Sequence, residues 1–148
     1  MVDGDAGTGR ATSSWQVPAG TYRISRRFRF AAAHRLSGLP DGHKCRRVHG
    51  HTWTVRVTVV ARDLVDPGWV VDFAALTPLG RYLDDNVDHR DLTEVLPVSP
   101  TAEHLAAWVA DWCHRHLEPG RGWWLESVVV DEGGDSTVEF RPDREPAR

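Results

Sequence analysis

Two runs of strict alternation, Tyr22 to His34 and His49 to Val59, constrain the fold of this chain more than any other feature. In the first, Tyr22, Ile24, Phe28, Phe30, Ala32 and His34 share one parity, and Arg23, Ser25, Arg27 and Arg29 share the other. In the second, His49, His51, Trp53, Val55, Val57 and Val59 alternate with Thr52, Thr54, Arg56 and Thr58. Successive side chains on a strand point to opposite faces, so each run reads as a strand with one apolar face. The segment Arg35 to Val48 is their connecting loop. Folded as an antiparallel pair, the runs bring His34, His49 and His51 together at one end, on one side.

Three neutral imidazoles suit Zn²⁺, which takes four tetrahedral positions, and three protein ligands leave one position open, as in catalytic sites. His43, within the loop, reads as a surface or substrate-side residue. Cys45 supports two readings. It is either the fourth ligand of a closed structural site, or a thiol acting as base or nucleophile among Lys44, Arg46 and Arg47, whose positive charge favours a thiolate.

A chain of 148 residues fits one domain with one core. The expected boundaries are a disordered tail at 1–20, a catalytic domain at 21–142 and a short tail at 143–148. The first segment is rich in Gly, Ala, Asp, Thr and Ser and buries too little to offset its ordering entropy. A formal net charge of -3 argues against nucleic-acid binding and makes any anion site local. Two cysteines, Cys45 and Cys113, make no disulfide framework. No apolar run is long enough to span a membrane and no signal-peptide pattern opens the chain, so the expected location is cytoplasmic.

After the hairpin, Trp69 to Val71 reads as a short extra strand. Asp72 is a good N-cap for a helix carrying Phe73, Leu76, Leu79 and Leu83, which Pro78 should kink or split. Asp88-His89 follows, in which a carboxylate can orient an imidazole for proton transfer, although adjacent residues often face apart. Ser99 and Pro100 read as N-cap and first residue of a second helix, with Thr101 and Glu103 in its first turn and a stop at Pro119-Gly120. Cys113 lies beside its apolar stripe and reads as a core thiol. Trp124 to Asp131 and Thr137 to Arg141 form a terminal hairpin around Gly133-Gly134. Glu132 keeps the parity of Trp124, Val128 and Val130, so its carboxylate sits at the rim of an apolar face and needs donors. The expected fold class is α+β, a four-stranded antiparallel sheet with two helices on one face.

The pattern His34, then Gly42-His43-Lys44-Cys45, then His49-Gly50-His51, with Asp88-His89, Pro100-Thr101-Ala102-Glu103 and Glu132, resembles the 6-pyruvoyl-tetrahydropterin synthase superfamily. Three residues between Cys45 and His49 is the spacing of its bacterial 6-carboxytetrahydropterin synthase branch. The resemblance covers about Tyr22 to Arg141 and implies the tunnelling fold, in which subunits close a β-barrel as trimers or hexamers around a basic lumen. It implies Zn²⁺ on His34, His49 and His51, a pterin triphosphate substrate, and Cys45, Asp88 and His89 as catalytic residues. Glu132, Thr101 and Glu103 would bind the substrate, Glu132 holding the pterin ring. Gly133 stands where the family often has Thr. Lys44, Arg46 and Arg47 are candidates for phosphate. The branch implies cleavage of a pterin side chain, feeding queuosine or another deazapurine. The alternatives are the pyruvoyl-forming reaction and a non-catalytic zinc-stabilised binding module.

Overall fold

The computed structural model describes residues 15–117 and 122–143. The chain runs through β1 (Tyr22–His34), β2 (His49–Ala61), α1 (Thr77–Asn86), β3 (Arg90–Asp91), α2 (Leu92–Val95), α3 (Ala102–His116), β4 (Trp124–Asp131) and β5 (Thr137–Phe140). Residues 15–20 and 143 carry no strand or helix, and the expected tails otherwise lie outside the described residues, as does the Pro119-Gly120 stop.

β1 and β2 pair antiparallel in one unbroken register from Tyr22 opposite Ala61 to His34 opposite His49. Their shared parity buries Phe30, Ala32, Trp53, Val55, Val57 and Val59, while Arg23, Arg27, Arg29 and Arg56 face outward and exposed. Onto the buried face pack Leu79 and Leu83 of α1 and Leu105 and Val109 of α3. Gly80 makes the approach of α1 possible, since a Cβ there would come within 3.1 Å of the Phe28 ring.

The sheet has five strands, in the order β3-β1-β2-β4-β5, rather than four. The additional strand, β3, runs parallel to β1 beside Ala32 and Ala33 only. Two residues are too short to show a periodicity, so the pattern of apolar residues could not announce it. Trp69 to Val71 is not a strand. A single bridge, Val65 to Trp69, closes a turn there in which Gly68 takes φ 126°, open to glycine alone at little cost.

Pro78 divides the expected helix. Asp72 caps a 3-10 turn, Phe73–Leu76, by accepting from the Ala74 N–H at 2.8 Å. The α-helix proper then begins with Pro78 in its first turn, where a missing N–H costs nothing. α3 starts later than Ser99 and Pro100 suggest. Thr101 is its N-cap, accepting from the His104 N–H at 3.2 Å. Pro100 lies outside the helix because its carbonyl is committed to His34. Cys113 is buried in the core, as expected.

Between Thr58 and Val59 the β2–β4 register slips. This bulge reverses the parity of β4 before it, so Leu125 is buried and Trp124 half-exposed. Glu132 keeps step with Val128 and Val130, and the bulge takes Trp124 out of that series.

Trp53 is the hinge between core and site. It is fully buried, stacks 6.5 Å from Phe30, and donates its indole N–H to the Ala32 carbonyl at 3.1 Å. Trp53→Ala is expected to cost about 3–5 kcal/mol in denaturant unfolding, the range for deleting a large buried aromatic.

Candidate metal centre

The antiparallel register sets His34 opposite His49 and Ala32 opposite His51, so one strand end supplies one imidazole and the next strand's beginning supplies two. Their ring centroids lie 4.5 Å (His34–His49), 5.1 Å (His34–His51) and 5.0 Å (His49–His51) apart. One nitrogen from each falls within 4.8 Å of the others. Trp53 forms the floor, its ring edge-on to His34 at 5.1 Å and to His51 at 5.4 Å.

Hydrogen bonds select the tautomers. His34 Nδ1 lies 2.8 Å from the Pro100 carbonyl, and His49 Nδ1 lies 2.7 Å from the Arg47 carbonyl. A carbonyl only accepts, so both Nδ1 atoms carry the proton and both Nε2 atoms present bare lone pairs. Yet His34 Nε2 and His49 Nε2 are 3.0 Å apart. With both rings neutral, two lone pairs face each other with no hydrogen between them. His51 Nε2 is buried and has no hydrogen-bond partner among the described residues. Protonating one ring would join His34 to His49 but leave His51 orphaned. Burial, moreover, holds the His34 pKa below its ordinary 6.5 against the raising effect of the Pro100 carbonyl, and His49 lowers it further. A single divalent cation satisfies all three nitrogens at once, and tetrahedral Zn²⁺ sets its ligand nitrogens about 3.3 Å apart. The residues fit a metal.

Both outer partners are backbone carbonyls, the usual way of fixing a ligating ring. No side-chain pattern could have revealed them. Pro100, placed by sequence in a helix, instead holds the ring of a candidate ligand, His34.

A pH dependence follows. The depressed His34 pKa means that the unfolded chain takes up the proton first. Its contribution to the metal-free fold is therefore present above about pH 6.5 and lost as pH falls through the folded value. Metal binding needs the same bare nitrogens. Melting of the metal-free protein from pH 7.5 to 5 is expected to show a falling Tm, and dialysis over that range a falling metal content.

Cys45 lies in a 3-10 turn, Lys44–Arg46, half-exposed, and is not among the three clustered ligand groups. Its N–H donates to His43 Nδ1 at 3.2 Å and its carbonyl accepts from the Leu36 N–H at 2.8 Å. Both bonds tie the loop, not the thiol. His43 is exposed and caps that turn.

Asp88 and His89, which adjacency could have set facing apart, do meet: His89 Nδ1 is 2.8 Å from Asp88 Oδ2. The backbone makes this possible, because His89 takes φ 57° and its N–H donates to the Ala31 carbonyl at 2.6 Å. Asp88 Oδ1 accepts from the Ala31 N–H at 2.8 Å. That bond first, and the His89 ring second, hold the Asp88 carboxyl below its ordinary pKa. The imidazole itself is 81% exposed, held on its Nδ1 side by the Asp88 carboxylate.

Glu132 follows β4, half-exposed, close enough for its charge to raise the His34 pKa. Gly133 behind it takes φ 84°, and a Cβ there would lie 3.2 Å from the Thr52 carbonyl. A threonine would be strained in this turn. Thr101 and Glu103 have helix roles in this chain, the first as cap and the second in the first turn.

The family model described as 6-pyruvoyl tetrahydropterin synthase matches residues 23–143. The chain is 39% identical over 123 residues to 6-carboxy-5,6,7,8-tetrahydropterin synthase of Synechocystis sp., covering 79% of this chain and 91% of that one. A Pyrococcus furiosus relative named dihydroneopterin monophosphate aldolase is 31% identical over 118 residues, 80% of this chain and 96% of that one. Among solved structures, 6-pyruvoyl tetrahydropterin synthase of Caenorhabditis elegans has a TM-score of 0.73 at 23% identity, covering 86% of this chain and 100% of that one, a likeness of fold. Since the match runs from the start of β1 to the last described residue, this chain belongs to the 6-pyruvoyl tetrahydropterin synthase family.

Proposed function

We propose that this chain is a zinc-dependent lyase, a 6-carboxytetrahydropterin synthase. In this reading it converts 7,8-dihydroneopterin triphosphate and water to 6-carboxytetrahydropterin, acetaldehyde and triphosphate. The observation that carries it is the trio of bare nitrogens with a buried orphan among them. His34, His49 and His51 hold the metal, and the relatives named as carboxytetrahydropterin synthases supply the reaction. A Zn²⁺ ion bound there supplies Lewis acidity to the hydroxyls of the substrate's side chain. Glu132 binds the amino group and ring N–H of the pterin, a bidentate match for a carboxylate. Thr101 and Glu103 flank the ring. Cys45 removes a side-chain proton, and His89, oriented by Asp88, returns one to the departing fragment.

The assembly in this reading is a trimer, or two stacked as a hexamer. Among the described residues, Tyr22 to Phe30 have no strand partner on the outer side of β1, and an exposed edge favours pairing with another chain. Closure into a barrel would turn Arg27, Arg29 and Arg56 toward a lumen. The enzyme works in the cytoplasm and feeds deazapurine assembly, queuosine or a pyrrolopyrimidine. No helix among the described residues is long and apolar enough to cross a membrane.

Incubating the metal-loaded protein with 7,8-dihydroneopterin triphosphate, with products identified by mass, tests the proposal. Acetaldehyde with the 6-carboxy product supports it. A pyruvoyl product without acetaldehyde moves the chain to the pyruvoyl-forming reaction, and no turnover rejects both.

A further inference from the structure

We infer that the cleft between the loop after β1 and the α2–α3 linker is an anion site that takes the substrate's phosphate chain, with Arg35 as its principal cation. The inference rests on the phosphorylated-pterin reading above. The cleft has a volume of about 510 Å³, and its polar lining is Arg35, Arg46, Ser37, Thr93 and Ser99. It shares a wall with the metal centre: Arg35 directly follows His34, and Pro100, whose carbonyl holds the His34 ring, lines it as well. The cleft and the metal centre therefore meet at Pro100.

The charges within it are not equivalent. Arg46 is already committed, donating to the Asp41 carboxylate and to the Leu39 carbonyl. The Arg35 guanidinium makes no hydrogen bond or ion pair among the described residues. The carboxylate whose pKa it lowers, Asp91, has its Oδ1 taken by the Thr93 N–H at 2.9 Å. Lys44 and Arg47, phosphate candidates by sequence, do not line the cleft. A guanidinium presents a planar fork that matches phosphate oxygens two at a time. Around it, hydroxyls are placed to add donors. Thr93 Oγ1 accepts from the Arg35 backbone N–H at 3.4 Å and gives its own hydrogen to the Asp91 carboxylate, which leaves the hydroxyls of Ser37 and Ser99 as the added donors. On a chain of net charge -3, an unpaired arginine in a hydroxyl-lined cleft is a local anion site rather than part of a basic surface.

Calorimetric titration of the zinc-loaded full chain with inorganic triphosphate, comparing wild type, Arg35→Gln and Arg35→Lys, tests this. Arg35→Gln is expected to weaken triphosphate binding roughly tenfold or more. It should raise KM for the phosphorylated pterin with a much smaller change in kcat, at unchanged zinc content. Arg35→Lys should recover part of the loss, having the charge but not the fork. Equal triphosphate affinity in wild type and Arg35→Gln overturns the proposal, as does no binding to wild type. Zinc loss from Arg35→Gln also overturns it, because Arg35 would then be supporting His34. Pterin turnover with a KM indifferent to Arg35 sinks the cleft and leaves the proposed function standing. Arg35-dependent triphosphate binding in a protein that turns over no pterin does the reverse.

Discussion

Replacing His51 with alanine is expected to empty the metal centre and abolish turnover while leaving the metal-free fold as stable as before, or slightly more so. The asymmetry comes from the orphaned nitrogen. Without metal, His51 Nε2 is a buried polar atom with no partner, a feature that costs about 1–3 kcal/mol. Removing the ring removes that cost, and its half-exposed position limits any cavity. With metal, the same ring is one of three protein ligands. Loss of an outer-shell partner alone weakens metal binding about 10–100-fold, so loss of a ligand should weaken it at least roughly hundredfold. Metal saturating wild type at about 100 times its Kd contributes about 2.7 kcal/mol to stability, and the variant should forfeit this gain. Elemental analysis after dialysis, with melting curves with and without Zn²⁺, reads both halves. A His51→Ala protein that keeps one metal per chain would show that the three imidazoles are not the ligand set.

Cys45→Ala should do the opposite: retain the metal and lose turnover by about 10²–10⁴, the range for removing a general acid or base. The substitution is structurally mild. The bonds that tie Cys45 into its turn run through its backbone, to His43 and Leu36, and alanine keeps both. The sulfur is not in the ligand cluster, so nothing about the three nitrogens should change. Were the chain instead a closed zinc module, the thiolate would be the fourth ligand. Zinc would then leave with the sulfur, and thiol reagents would find Cys45 protected in the loaded protein. Full zinc with normal turnover in Cys45→Ala would remove Cys45 from the chemistry.

The bulge in β4 shows where sequence reading loses its grip. Alternation counts residues along one strand, so it holds only until the partner strand slips. Opposite Thr58 and Val59 it does slip, and Leu125 rather than Trp124 enters the core. Helix starts fail for a related reason. Ser99 and Pro100 have the right chemistry for a cap and first turn, but the His34 ring claims the Pro100 carbonyl, and Thr101 caps instead. The meeting of Asp88 with His89 depends on a positive φ that a histidine seldom adopts, held by the Ala31 carbonyl far away in sequence.

What the amino-acid order determined by itself was the hairpin and the side of it on which three histidines lie. Side-chain alternation is a local property of extended backbone, and a long apolar face leaves only one register that buries it. Tertiary structure alone decided the state of those rings. Which nitrogen carries the proton, which is left bare, and that one is orphaned depend on carbonyls and neighbours brought together by folding, and every residue type carries the same carbonyl.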